Sequence, residues 1–294
     1  MNEALARQFE APRRVEDAVA LLAKHGAAAR ALAGGTDLLA QMRSGTRRPA
    51  VIVDLKRIDE LLRVSESGGG LVIGAAAPAA VVREHAALRR LFPGIAEAAA
   101  LIGSEQIQGR ASLGGNLCNA SPAADTTPAL LVNDAVVEIA GPNGRRRVPV
   151  GEVCTAPGRT SLAPGELVVA IHLAAPAPRS ADAYLRLIPR TEMDIAVVGA
   201  AVRLALAPDG RCVSARVAVG AVAPTALRVP DAEAALTGSR VDAAALARLL
   251  AAVRAAARPI DDKRGTVAYR RQVVGVLARR AAERALERAR RNES

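Results

Sequence analysis

Between residues 112 and 125 the chain reads Ser112-Leu113-Gly114-Gly115-Asn116-Leu117-Cys118-Asn119-Ala120-Ser121-Pro122-Ala123-Ala124-Asp125. Two adjacent glycines stand among small hydroxyl, amide and carboxylate side chains. From residue 103 to 121 we find neither helical periodicity nor strand alternation, so the segment is predicted to be a loop. A loop that long inside a compact domain is usually functional. Glycine lets backbone approach a ligand with no Cβ in between, and the polar side chains supply donors and acceptors. Asn116, Ser121 and Asp125 have no reason to cluster in a merely structural turn.

A second loop of this kind lies upstream: Leu32-Ala33-Gly34-Gly35-Thr36-Asp37-Leu38. It leaves a predicted strand at 27–33 and enters a helix that runs to about residue 43, capped by Thr36 or Asp37. Backbone amides there can converge on an anion, and the helix dipole favours negative charge. Alone, a Gly-Gly turn before a helix is more often plain turn chemistry. It does not fit G-x-G-x-x-G, so a Rossmann reading fails. Two such loops in one domain point to a cofactor that carries phosphate.

Around these loops the pattern predicts a helix at 15–24, closed by Gly26, and a strand at 51–55. A hairpin joins 61–64 to 71–74, helices follow at 79–90 and 94–101, and another helix starts at Asp125. A second hairpin pairs 136–139 with 146–150, and a strand spans 167–173. Pro176-Ala177-Pro178 marks a linker. Beyond it, 183–187, 195–205 and 214–219 alternate like antiparallel strands, and 241–257 and 266–291 are helical. That is an α+β pattern. No internal repeats occur.

Composition bounds the function. The 294 residues suffice for two domains, and 51% are apolar with no Trp, so the core is aliphatic. No apolar run is long enough to span a bilayer. Residues 1–9 lack a signal-peptide pattern, and a cytoplasmic location is expected. Cys118, Cys154 and Cys212 are scattered and odd in number, which argues against a disulfide framework or a four-thiolate cluster. His25, His85 and His172 are isolated, so no metal site is expected. The net charge of +11 owes much to Arg279, Arg280, Arg284, Arg288, Arg290 and Arg291. Pairs such as Glu287 with Arg291 suit a solvated or partner-facing helix. A nucleic-acid surface is not expected, because aromatic stacking residues are nearly absent.

AGGTDLL (residues 33–39) and SLGGNLCNASPAADTTPALL (residues 112–131) resemble the two FAD-binding motifs of the medium subunit of molybdenum hydroxylases, the group of carbon monoxide dehydrogenase and xanthine dehydrogenase. The resemblance continues in order through Asp194-Ile195-Ala196, residues 220–224, Pro259-Ile260-Asp261-Asp262 and Tyr269-Arg270. It implies an α+β fold. A two-subdomain FAD-binding domain of the vanillyl-alcohol-oxidase type would span 1–176, with subdomains at about 1–55 and 56–176. A small domain at 180–291, with a three-stranded antiparallel sheet and helices, would follow.

The resemblance also implies the site. Leu32, Ala33, Gly34, Gly35, Thr36, Asp37 and Leu38 would hold the FAD diphosphate, and Ser112, Gly114, Gly115, Asn116, Ser121 and Asp125 would contact the cofactor. Leu162, Arg186, Asp194 and Ile195 would lie near the flavin ring. No His lies near either motif, which favours non-covalent FAD. The chain lacks the Cys-rich insertion of relatives that carry an extra cluster. The implied function is electron transfer. Partners would be a large subunit with the molybdenum cofactor and a small subunit with two [2Fe–2S] clusters, arranged as a dimer of heterotrimers. FAD would receive the electrons here and pass them to an external acceptor. The rival expectation is a stand-alone FAD-dependent oxidase, for which the C-terminal region looks too small.

Overall fold

The computed structural model describes residues 8–292; the leader-free reading of the first nine residues lies, for residues 1–7, outside them. The chain begins with a three-stranded parallel sheet in which Val51–Asp54 sits between Gln8–Glu10 and Ala29–Leu32. The helix Val15–His25 packs Val15, Ala18, Val19 and Leu22 on it. The spacing of those four residues puts them on one face.

A five-stranded antiparallel sheet follows, in the order Val64–Ser67, Gly70–Gly74, Leu167–Leu173, Val136–Gly141, Gly144–Pro149. Its middle strands divide two cores. Val168, Ile171 and Leu173 face one cluster with Ile73, Val137 and Ile139, while Leu167, Val169 and Ala170 face the cluster of the first sheet. A strand buried on both faces needs apolar residues at nearly every position, which is why LVVAI reads as a continuous run; half-buried His172 pairs with Glu138. The two outer strands are mostly exposed and polar.

The third sheet is antiparallel: Ser180–Leu187, Val198–Leu206, Cys212–Gly220 and the two-residue strand Leu227–Arg228. The three long strands were expected; the fourth is too short to carry an alternation. The helices Val267–Arg291 and Pro230–Leu236 pack on this sheet, and Ala243–Ala256 packs on those two helices. From the other face Tyr184, Ala201 and Ala218 join the core of the five-stranded sheet. The basic helix is not wholly solvated. Arg288 and Arg284 both reach Glu97, on the helix Pro93–Ala100, and Arg288 Nη1 also donates to the Asp182 carbonyl at 2.9 Å.

Three local expectations need correction. The segment 103–121 is not a loop throughout. It forms the short helix Glu105–Gln108 and the helix Leu113–Asn119. The glycines and asparagines of LGGNLCN have low helix propensity, so a seven-residue helix left no periodic signal. Likewise 79–90 is broken at His85 into Ala79–Glu84 and Ala86–Leu91. The helix after the first glycine pair, Leu38–Arg43, has no side-chain cap from Asp37.

Candidate functional site

The strands Ala29–Leu32 and Val51–Asp54 run parallel, with Leu32 opposite Asp54. Ligands of α/β sheets bind at the carboxyl ends of such strands, and here the chain turns at Gly34 and Gly35. Gly35 has φ +81°, a conformation costly for a side chain with a Cβ. Among the described residues nothing accepts a hydrogen bond from the backbone amides of Gly34, Gly35, Thr36 or Asp37. Four adjacent unmet donors make a cradle for an anion.

The second motif faces the first. Ser112 caps its helix, with Oγ accepting from the Gly115 amide at 3.1 Å. Gly114 donates to the Ala75 carbonyl at 3.0 Å. A Cβ on Gly114 would stand 2.5 Å from that oxygen, so glycine is what lets the helix sit on the end of Gly70–Gly74. Helical spacing puts Ser112, Gly115, Asn116 and Asn119 on one face. Asn119 Oδ1 accepts from Gln41 Nε2 at 3.1 Å, which joins the helices of the two motifs. Asn116 Oδ1 accepts from Thr126 Oγ1 at 2.7 Å, leaving its NH2 as the donor.

Between the motifs lies a cavity of about 330 Å³, in the range of small-molecule sites. Leu32, Ala33, Gly34, Gly35, Thr36, Asp37 and Leu38 line it from one side; Ser112, Gly114, Gly115 and Asn116 line it from the other, and Leu162 also contributes. Residues 32–38 and 112–116 are thus brought together across some 80 positions of chain. Burial raises the pKa of Asp37. Gln41, Arg47, Asn119, Gly158 and Glu166 also line the cavity and were missed. Asn119 was legible in principle, one helical turn past Asn116. Gly158 and Glu166 belong to a distant part of the chain and gave no signal.

Five expected site residues stand outside this cavity. Ser121 Oγ accepts from the Ala123 amide at 3.3 Å. Asp125 is buried, with Tyr184 Oη donating to Oδ1 at 2.8 Å and Arg186 Nη1 to Oδ2 at 2.7 Å. Desolvation pushes its pKa up to about 6 despite the Arg186 charge. Arg186 is therefore spent on Asp125. Asp194 pairs with Arg264 and Arg190, each at 3.2 Å, and Ile195 is half exposed beside it. Cys118 borders the cavity; burial, with a smaller effect of Cys154, pushes its thiol up to about 12.

Two glycine loops closing on one cleft, followed along the chain by a second α+β region, define a protein that binds a phosphate-bearing cofactor. Comparison with known proteins gives the family. Residues 5–176 match the FAD binding domain in molybdopterin dehydrogenase, and 183–285 match the CO dehydrogenase flavoprotein C-terminal domain. The chain is 36% identical to the carbon monoxide dehydrogenase medium chain of Afipia carboxidovorans, over 96% of this chain and 97% of the relative. It is 32% identical to the xanthine dehydrogenase FAD-binding subunit of Escherichia coli O157:H7, over 92% of each. Among solved structures it is similar to the CO dehydrogenase from Oligotropha carboxidovorans, with TM-score 0.92, 35% identity and coverage of 96% and 98%. The quinoline 2-oxidoreductase of Pseudomonas putida 86 superposes with TM-score 0.89 at 27% identity, with coverage of 97% and 98%. The chain belongs to this family of FAD-binding oxidoreductase subunits.

Proposed function

We propose that the chain is the electron-transfer subunit of a molybdenum hydroxylase complex and holds one non-covalent FAD. Electrons would come from a large molybdenum-cofactor subunit through the [2Fe–2S] clusters of a small subunit, in a dimer of heterotrimers, and leave to an external acceptor. The observation that carries this reading is the pair of glycine cradles closing on one cavity, with four unmet backbone amides at its wall.

The residues present fit the cofactor. Gly34, Gly35, Thr36 and Asp37 offer backbone donors to the diphosphate, and Gly115 and Asn116 approach from the opposite wall. FAD, when bound, supplies the redox chemistry; the chain supplies binding and orientation. Asp125 acts from behind: Thr126, its neighbour, holds Asn116, so the buried Asp125–Arg186 pair fixes that wall. Burial keeps the Cys118 thiol protonated and so a poor nucleophile, which favours non-covalent FAD. Free Cys118, Cys154 and Cys212 suit a reducing, cytoplasmic setting. Among the described residues no helix is long and apolar enough to cross a membrane, and no His, Cys, Asp or Glu group could hold a metal.

The test is anaerobic. The isolated FAD-loaded chain is mixed with substrates of the complex and the flavin absorbance is followed. Bleaching should need the large and small subunits. Fast bleaching by the isolated chain would overturn this reading and favour a stand-alone oxidase.

A further inference from the structure

Lys56 does not line the cavity, yet it reaches the first glycine loop from behind. Its Nζ donates to the Ala33 carbonyl at 3.2 Å and pairs with the Asp54 carboxylate. Asp54 Oδ1 also accepts from the Lys56 backbone amide at 3.1 Å. The two side chains are only 26% and 12% exposed, unlike a solvated surface pair. The sheet fixes the arrangement. Asp54 ends its strand in register with Leu32, and the Leu55 amide donates to the Leu32 carbonyl at 3.0 Å. Lys56 is therefore held against the residue that follows Leu32 by the ladder itself.

A trans peptide directs the C=O of one residue and the N–H of the next to opposite sides. Pinning the Ala33 oxygen on Lys56 therefore turns the Gly34 N–H away from Lys56. That N–H has no acceptor among the described residues, and Ala33 and Gly34 line the cavity while Lys56 and Asp54 do not. We propose that Lys56 is a positioning residue for the cofactor diphosphate: it holds the Ala33 carbonyl so that the Gly34 amide is aimed into the cavity as a donor to an anionic ligand. Asp54 keeps the ammonium in place and offsets its burial. The role needs a cation that donates at the end of a long stem, so arginine can serve and methionine cannot. The inference rests on the FAD reading given above.

The test uses the full chain, stripped of flavin, as wild type, Lys56→Met and Lys56→Arg. FAD and ADP affinities are measured by titration, and the melting temperature of each flavin-free protein is recorded. A charge-assisted hydrogen bond that orders a donor predicts a loss of about 10-fold or more in FAD affinity for Lys56→Met. ADP, which carries the diphosphate without the flavin, should weaken in parallel. Flavin-free Lys56→Met, which leaves the Asp54 carboxylate without its cation, should melt lower but stay folded at the titration temperature, and Lys56→Arg should recover most of the affinity. Lys56→Met binding FAD as tightly as wild type overturns the role of Lys56 while leaving the cofactor reading intact. So does joint loss of affinity and melting temperature that arginine does not restore. Wild type that binds no FAD overturns the cofactor reading itself.

Discussion

Gly34 lies flush against the backbone of Arg110: a Cβ built on the glycine would stand 1.8 Å from the Arg110 carbonyl oxygen. The two glycine motifs are thus in contact through a missing side chain. The backbone of Gly34 has no positive φ, so its glycine answers to space, not to conformation. Gly34→Ala should therefore push the motifs apart. We expect a loss of about 1–3 kcal/mol in stability from overpacking and loss of bound FAD. Urea unfolding and the flavin-to-protein absorbance ratio check both.

Gly115 differs. A Cβ there would meet Ser112 Oγ at 3.1 Å and come no nearer than 4.0 Å to Ala33, so the fold tolerates it more readily. The branches of valine would reach the cavity wall opposite the first motif. Gly115→Val should abolish FAD binding while the flavin-free protein melts near wild type. Full flavin occupancy in the purified variant would remove Gly115 from the site.

Asp182 is fully buried, accepting from the Gly94 amide at 2.9 Å and from Asn133 Nδ2 at 2.6 Å. Desolvation lifts its pKa from 3.8 to about 6, with the nearby Glu97 carboxylate adding to the lift; those two hydrogen bonds and Arg203 pull the other way. Between these values the folded chain holds a proton that the unfolded chain has released, so this group's contribution falls as pH rises and levels off above about 6. A rise of that size corresponds to about 3 kcal/mol. Asp182→Asn should lose this dependence. The difference in urea unfolding free energy between wild type and variant, followed from pH 4 to 7, should change by that order.

Glu97 binds the C-terminal helix to the cofactor domain. Its carboxylate accepts from the Tyr184 amide at 3.0 Å and from Arg288 and Arg284. Glu97→Ala leaves the Tyr184 amide unmet and the half-buried Arg288 with only the Asp182 carbonyl to donate to. A cost of about 2–4 kcal/mol is expected. A double-mutant cycle with Arg288→Met should show coupling well above that of an exposed ion pair.

How much of this was legible depends on whether the cause was local. The strands 167–173 and 136–139 were read because each carries its own apolar pattern, and 146–150 because the turn Pro142-Asn143-Gly144 pairs it with 136–139. The helix Leu113–Asn119 was hidden because Gly114 serves a contact with Ala75 while Gly115 and its asparagines serve the cavity. The break at His85 and the two-residue strand Leu227–Arg228 leave no periodic trace at all.

By itself the sequence determined the composition of both glycine motifs, the strands and helices that carry a periodic apolar pattern, and the family through motifs quoted in chain order. It also determined where backbone could come close to a ligand, since only glycine allows that approach. The tertiary structure decided which residues share one cavity, that Gly34 abuts Arg110, that Lys56 stands behind Ala33, and that Asp125 faces Tyr184 and Arg186. These are contacts between distant segments or across a sheet. They depend on where the strands end and which side chains desolvate one another, and no local pattern encodes that.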